Sequence, residues 1–220
     1  MNVFIDLETI PGQRPGIREE LAAAITHPGN MSKPETIAKW EAEDKPNLVE
    51  TAYARAGLNG STGEVWCIAW AVDDEPVECL SRDSLASGET DLLHSFHRAL
   101  NALTTPRERP RFVGHYISGF DLRFLWQRSV VCQIRPARCI PFDAKPWGDE
   151  IFDTMVRWSG ARDKISQDNL CRTLGLPVKD GMDGSMVWDM VQRGEYVNVA
   201  EYCKGDVQRV REIYRRMQFQ

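Results

Sequence analysis

Asp6 and Glu8 stand two residues apart in an otherwise apolar run near the amino end of the chain. On a β-strand such residues project from the same face, so their carboxylates would lie side by side while Ile5 and Leu7 point the other way. Two carboxylates that close repel each other, and a bound cation or ample solvent keeps both ionised. Oxygen ligands of this kind suit hard divalent ions such as Mg²⁺. The pair therefore predicts half of a metal site, although a strand end that runs into solvent would show the same pattern.

Further acidic residues with the same chemistry lie far along the chain. Asp121 falls at the start of a predicted helix, 120–131, where an aspartate is also a favoured helix cap. In the last predicted helix, 199–217, Tyr202 and Asp206 are four residues apart and share a face that borders apolar positions. A carboxylate aimed into the interior is costly, and a metal ion would relieve that cost. These stretches supply the ligands that the first pair lacks.

The predicted elements that carry these residues indicate one α/β domain. The opening strand runs over 1–10, and the region up to Gly63 has helical pieces but no strand pattern. The order of the later strands and helices predicts a single domain over 1–220 with an insertion at about 11–63. We predict further strands at 65–72, 76–80, 111–115 and 151–154, and further helices at 17–25, 48–56, 89–103 and 186–192, with helices also starting at the caps Ser32 and Ser166.

Composition restricts the classes to which the protein can belong. The length of 220 residues is ample for a buried core, and no apolar stretch approaches the ~20 residues of a membrane span. The amino end has no basic region followed by an apolar core, so we expect a cytoplasmic location without membrane partners. Six cysteines show no C-x-x-C pairing and are interpreted as reduced core residues. A net charge of −5 argues against a broad basic face for duplex nucleic acid, but an acidic metal site leaves room for a phosphate substrate.

Together, these stretches resemble the DEDD (DnaQ-like) family of 3′-5′ exonucleases, most closely the exonuclease domain of family B DNA polymerases and its stand-alone relatives. The run 4–9 is similar to the first family motif, and residues 114–121 are similar to the second. Tyr202 and Asp206 match the third motif in its tyrosine (DEDDy) form, since the histidine form would need His where Glu201 stands. A connecting segment that includes Lys179 also looks like that of the family.

The resemblance implies an RNase H-like mixed β-sheet flanked by helices, with the helical insertion after the first strand. It implies two Mg²⁺ or Mn²⁺ ions that stabilise the attacking and leaving oxygens of a displacement at phosphorus and release a nucleoside 5′-monophosphate. The implied metal ligands are Asp6, Glu8, Asp121 and Asp206, with Tyr202 as a further catalytic residue and Thr9, His115, Tyr116 and Phe120 as substrate-binding residues.

One position departs from the family pattern. Relatives commonly have Asn directly after the Gly-His of the second motif, and this chain has Tyr116 there. Because Asp121 is retained, we expect metal binding to survive. The hydrogen bonding next to the substrate strand is expected to differ.

The sequence leaves the substrate open between three hypotheses. The first is an exonuclease on single-stranded DNA, the second an enzyme that trims RNA 3′ ends, and the third a catalytically silent domain that only binds nucleic acid or a partner. Retention of all the acids argues against the silent domain. For the insertion, Trp40 and Tyr53 either offer surfaces on which bases stack or pack the segment onto the domain, and we predict that the insertion guides the single strand to the metals.

Overall fold

The computed structural model describes residues 1–105, 109–160, 162–178 and 181–220, and Lys179 lies outside them. The strands are β1 Asn2–Pro11, β2 Gly63–Val72, β3 Glu78–Ser81, β4 Arg111–Gly114 and β5 Ile151–Asp153. The helices are α1 Ile17–Ala24, α2 Pro34–Glu43, α3 Lys45–Ala56, α4 Glu89–Leu103, α5 Asp121–Val131, α6 Thr154–Ser159, α7 Gln167–Leu174, α8 Val187–Gln192 and α9 Tyr196–Met217, with a 3₁₀ turn at Gly184–Met186.

The strands form one mixed sheet in the order β3-β2-β1-β4-β5. β2 runs antiparallel to both β1 and β3, as expected for a hairpin that follows the insertion, whereas β4 runs parallel to β1 and β5. The first strand therefore lies at the centre of the sheet. This mixed sheet with flanking helices confirms the predicted RNase H-like α/β fold.

Alternation along β1 divides the core between the two faces of the sheet. Val3, Ile5 and Leu7 pack with residues of α4 and α5, including Phe96, in one apolar cluster. Phe4 and Ile10 face the opposite side, where α8 and α9 supply the apolar partners. Asp6 and Glu8 lie between Phe4 and Ile10 in the alternation and belong to the same face of the sheet. The sequence predicts this shared face correctly because successive strand residues point to opposite faces.

The helices between β1 and β2 pack against the domain through their aromatic residues. Trp40 is 5 % exposed and Tyr53 is 2 % exposed. The Tyr53 hydroxyl donates to the Gly12 carbonyl at 3.1 Å, and the ring meets Trp188 edge-on at 5.9 Å. Both residues are therefore packing residues, and the alternative that they offer stacking surfaces for bases is wrong.

Helix ends follow local capping chemistry at one predicted site and not at another. The Ser166 hydroxyl accepts a hydrogen bond from the Asn169 amide, and Gly175 ends α7 with a φ of 68°. The predicted cap at Ser32 is wrong, because α2 starts after Lys33 with Pro34 in its first turn. Among the described residues, no helix combines the length and the apolar character that crossing a membrane requires.

Candidate active site

The candidate site contains the acidic pair of β1, Asp6 and Glu8. Asp6, Glu8 and Cys203 of α9 each offer a ligand atom, and these atoms all lie within 4.8 Å of one another. Glu8 is only 8 % exposed. The pairing of β1 with β2 shifts register between Glu8 and Thr9, and this irregularity interrupts the ladder directly after the two carboxylates.

Asp121 reaches the same strand from the first turn of α5. Its Oδ1 atom accepts a hydrogen bond from the Leu7 amide at 3.2 Å, and the side chain is buried. Burial raises the pKa of Asp121 to about 7, and the negative charges of Asp153 and Asp206 add to the effect. Hydrogen bonds from backbone amides oppose this rise in pKa. Since Leu7 lies between Asp6 and Glu8, this bond brings the acid of the second motif beside the first pair.

α9 brings the last two predicted residues to the site. Burial raises the pKa of the Tyr202 hydroxyl well above its usual range, and the charges of Asp206, Glu8 and Asp6 raise it further. Tyr202 therefore keeps its proton at neutral pH. The Asp206 carboxylate is buried and accepts hydrogen bonds from Arg209, at 2.5 Å from Nη2 and 3.1 Å from Nε. Tyr202 therefore lies near enough to three of the acids to feel their charge, and α9 borders the candidate site on β1.

The loop between β4 and α5 is held by Asp153, the last residue of β5. This fully buried carboxylate accepts hydrogen bonds from the Tyr116 and Ser118 amides at 3.1 and 3.2 Å and from the Ser118 hydroxyl at 2.6 Å. It also accepts the amides of Met155 and Val156 and so caps α6. The same side chain therefore starts one helix and positions the loop that leads to Asp121.

His115 and Tyr116 lie in this loop with different surroundings. The ring nitrogens of His115 lie 3.0 Å from the Thr154 hydroxyl and 2.9 Å from the Ile165 carbonyl. Tyr116 has a φ of 64°, a conformation in which Asn is several-fold enriched over most residues. This φ gives a physical reason for an Asn in relatives at the position. The Tyr116 ring lies over Gly119, where a Cβ would come within 2.2 Å of it, and Lys164 Nζ is 4.9 Å from the ring centroid.

Thr9 and Phe120 have different surroundings. Phe120 packs on Phe124, with ring centroids 5.4 Å apart, and faces the apolar core. Thr9 lines a cavity of about 320 Å³ between the end of α3 and the start of α8. Residues from the insertion form one wall of this cavity and residues 184–189 form the other. The remaining lining residues are Pro11, Ala54, Arg55, Gly57, Leu58, Gly184, Ser185, Trp188 and Asp189.

A family model described as "Predicted 3'-5' exonuclease related to the exonuclease domain of PolB" matches residues 64–220. The chain belongs to this family. The match covers more than half of the chain and includes the stretches of the second and third motifs. No curated protein matches the chain.

The matched region of this exonuclease-like chain divides the candidate site. It contains Asp121, Tyr202 and Asp206, and it begins after β1, which carries Asp6 and Glu8. The structure nevertheless brings both parts together around Leu7. The insertion also lies before the matched region, so its wall of the cavity is a feature of this chain that the family match does not include.

The donor set of the exonuclease-like domain suits hard divalent ions. Asp6, Glu8, Asp121 and Asp206 offer carboxylate oxygens, which Mg²⁺ and Mn²⁺ prefer. Burial raises the pKa of the Cys203 thiol, so this soft sulfur stays protonated and does not compete as a ligand. The raised pKa of Asp121 shows the cost of burying these acids together, and a bound cation would lower it.

Sequence reasoning missed residues that support the site. Four residues contact a site residue or its loop, although no sequence motif marks them: Asp153, Gln167, Arg209 and Cys203. Gln167 donates to the Asp206 carbonyl at 3.2 Å and accepts from Arg209 at 3.2 Å. The one available signal was the position of Asp153 directly after a short apolar strand, where a helix cap is common.

Proposed function

We propose that the chain is a metal-dependent 3′-5′ exonuclease that removes nucleoside 5′-monophosphates from the free 3′ end of single-stranded DNA. The observation that carries this proposal is the hydrogen bond between the Leu7 amide and Asp121 Oδ1 at 3.2 Å. This bond joins acids from distant parts of the chain at one strand. Family membership supports the same reaction class and direction.

Asp6, Glu8, Asp121 and Asp206 would hold two Mg²⁺ or Mn²⁺ ions. When bound, the ions would stabilise both the attacking and the leaving oxygen of an in-line displacement at phosphorus. Side chains of the protein would orient the attacking water and hold the metal ligands in position. Tyr202 keeps its proton because its pKa is raised, so its hydroxyl can donate a hydrogen bond and orient a water molecule. Arg209 and Gln167 hold Asp206 in position through hydrogen bonds to its carboxylate and its backbone carbonyl.

The cavity beside Thr9 supports a pocket for the terminal nucleoside. It begins one residue after Glu8 and has a volume of about 320 Å³. Leu58, which is 68 % exposed, and Trp188 line it with apolar surface, and Ser185 adds a hydroxyl group. In this proposal the insertion acts on the substrate through Leu58 and Arg55 and not through Trp40 or Tyr53.

Basic and aromatic side chains beside the second motif support a nucleic-acid substrate. Trp147 and Trp158 are 61 % and 44 % exposed. Arg157 precedes Trp158 in the chain, and its guanidinium lies 3.4 Å from the Trp147 carbonyl and 5.2 Å from the Phe152 ring centroid. Exposed indoles offer stacking surfaces for unpaired bases, and arginine offers charge to the phosphates. The overall negative charge of the chain is therefore compatible with a local single-strand surface.

The test is an assay of the purified chain with Mg²⁺ or Mn²⁺ on matched DNA and RNA oligonucleotides labelled at the 5′ end. We expect progressive shortening of the DNA from its 3′ end and resistance of a circular single strand. Asp6→Ala and Asp206→Ala should each lower the rate at least ~10³-fold, or about 4 kcal/mol of transition-state stabilisation. The control is Glu201→Gln, which changes an exposed acid next to Tyr202.

Each other outcome selects a different function. Faster shortening of RNA would replace the DNA proposal with RNA 3′-end trimming. Binding of oligonucleotides without hydrolysis under either metal would indicate the silent domain. Rapid cutting of the circle would indicate an endonuclease, and near-normal turnover of folded Asp6→Ala would reject the assigned site.

A further inference from the structure

Cysteines that are far apart in sequence come together next to the acidic pair of β1. Cys67 lies on β2, Cys79 on the edge strand β3 and Cys203 on α9. Cys79 pairs with Ala69, so it is a diagonal neighbour of Cys67 on the same face of the hairpin. Cys67 and Cys203 lie in one buried cluster, and Cys79 packs against that cluster. The fold thus assembles a cluster that we call the thiol cluster, consisting of Cys67, Cys79 and Cys203.

Members of the thiol cluster differ in access and in reactivity. Cys67 and Cys203 are fully buried, and burial raises the pKa of both thiols. Cys79 is half-buried. Hydrogen bonds from Cys203 and Cys67 lower the pKa of Cys79, and the Lys204 ammonium lowers it further, whereas partial burial acts the other way. Because the thiolate is the nucleophile, Cys79 is the member of the cluster that reacts first with an oxidant from solvent.

Cys203 connects the thiol cluster to the candidate metal site. Its sulfur lies 3.4 Å from the Asp6 carbonyl oxygen and 3.5 Å from Asp6 Oδ2, so the thiol proton can be donated to Asp6. Cys203 also stands directly after Tyr202 on α9. A covalent change at Cys203 would therefore alter the surroundings of a carboxylate in the site.

We propose that Cys79 and Cys203 form an oxidation site at which a hydroperoxide converts the two thiols to a disulfide. The Cys79 thiolate attacks the hydroperoxide, the O–O bond breaks, and the released alkoxide or hydroxide takes a proton from water. The resulting sulfenic acid on Cys79 is attacked by the Cys203 sulfur. The S–O bond breaks, and the hydroxyl group leaves with the thiol proton as water. In total, two thiols are oxidised and one hydroperoxide is reduced to an alcohol, or to water, with one further water released.

The disulfide would act on the site in two ways, and this consequence rests on the proposed function. It would remove the thiol hydrogen bond to Asp6. It would also tie α9, which carries Tyr202 and Asp206, to the edge strand β3. Loss of a hydrogen bond to a metal-binding carboxylate costs about 10- to 100-fold in activity. We expect a loss of that size on oxidation and its recovery on reduction with dithiothreitol.

The experiment compares the wild-type chain with Cys79→Ser and with Cys132→Ser, a matched control at another half-buried cysteine. Each folded protein is treated with hydrogen peroxide, its remaining thiols are alkylated, and a non-reducing digest is analysed by mass spectrometry. We expect a linked pair of peptides containing Cys79 and Cys203, lacking two hydrogens, in wild type and in Cys132→Ser. Cys79→Ser should lack this pair and keep its hydrolytic activity under peroxide.

Several outcomes would overturn the proposal. They are a Cys67–Cys79 link in place of the proposed one, oxidation of Cys79 to sulfinic acid alone, or an equal loss of activity in Cys79→Ser and wild type. Cys79→Ala provides a second variant if Cys79→Ser does not fold. The mass-spectrometric result does not depend on hydrolysis, so a chain without nuclease activity would reject the proposed function while still testing the oxidation site.

Discussion

The Leu7 amide donates to the Asp121 carboxylate across 114 residues of sequence, at a distance of 3.2 Å. The donor lies on the central strand between two acids, and the acceptor begins α5. An acid at a helix start can serve as a cap for its own helix. Here Asp121 also accepts from another element, and this bond brings it to the site.

Two substitutions of Asp121 distinguish the effect of its charge from the effect of its hydrogen bond to Leu7. Asp121→Asn keeps an oxygen that accepts from Leu7, and a neutral side chain suits this buried position because the pKa of Asp121 is raised to about 7. We expect Asp121→Asn to melt within a few degrees of wild type and to lose at least ~10³-fold in hydrolysis. Asp121→Ala should lose both stability and activity. Thermal melting and the oligonucleotide assay measure the two effects, and a near-normal rate for Asp121→Asn would contradict its role as a metal ligand.

Asp153 is expected to be more important for stability than an exposed aspartate cap. Asp153→Ala leaves the Tyr116, Ser118, Met155 and Val156 amides without their acceptor in a buried setting, so we expect a loss of about 3 kcal/mol or more in the free energy of unfolding. Asp183→Ala is the matched control, since Asp183 caps the 3₁₀ turn at the surface and should cost about 1 kcal/mol. Urea unfolding measures both. Equal losses would show that Asp153 does not hold the loop.

His97 gives the folded protein a pH dependence that lies far from the acids. It is 2 % exposed, accepts the Ala137 amide at Nδ1 and lies 2.9 Å from the Ser129 hydroxyl at Nε2. Burial lowers the pKa of His97 to about 4, and the neighbouring His94 adds to this. The unfolded chain takes up the proton near pH ~6.5, so stability present above that pH is lost as the pH falls toward about 4, at about 1.4 kcal/mol per pH unit.

The measurement compares wild type with His97→Gln by urea unfolding without added metal at about pH 7.5 and about pH 5.5. The raised pKa of Asp121 acts with the opposite sign in this range, because the folded chain binds that proton first, and its contribution cancels between the two proteins. We expect the free energy of unfolding to fall by about 1 kcal/mol more in wild type than in His97→Gln. Identical changes in the two proteins would show that His97 does not control this pH dependence.

The cavity prediction uses two exposed leucines near opposite ends of the α3 region. Leu58 lines the cavity beside Thr9 and is 68 % exposed, whereas Leu48 is 44 % exposed and lines another groove. Leu58→Trp should fill the proposed nucleoside pocket and raise KM for oligonucleotides about tenfold, or about 1.4 kcal/mol. Leu48→Trp should leave KM unchanged. Steady-state kinetics decide, and equal KM values for the two variants would exclude a substrate role for the cavity wall.

The sequence by itself determined the elements and the faces on which the acids lie. The alternation of β1 places Asp6 and Glu8 together, and the spacing of three and four along α9 places Tyr202 and Asp206 on one face. Such patterns are readable because strand and helix periods depend on neighbours within one element. The RNase H-like sheet could be predicted for the same reason, once the motifs were recognised in order.

Only the tertiary structure decided which residues surround those acids. Whether Asp121 caps its own helix or bonds to Leu7, and whether Tyr53 faces solvent or packs on Trp188, depends on how distant elements cross. The gathering of Cys67, Cys79 and Cys203 has the same origin, since strand pairing and the position of α9 on the sheet bring them together. A local sequence pattern does not determine how distant elements pack, because the same helix or strand sequence is compatible with many packing arrangements. The burial of side chains from all the neighbouring elements decides which arrangement forms.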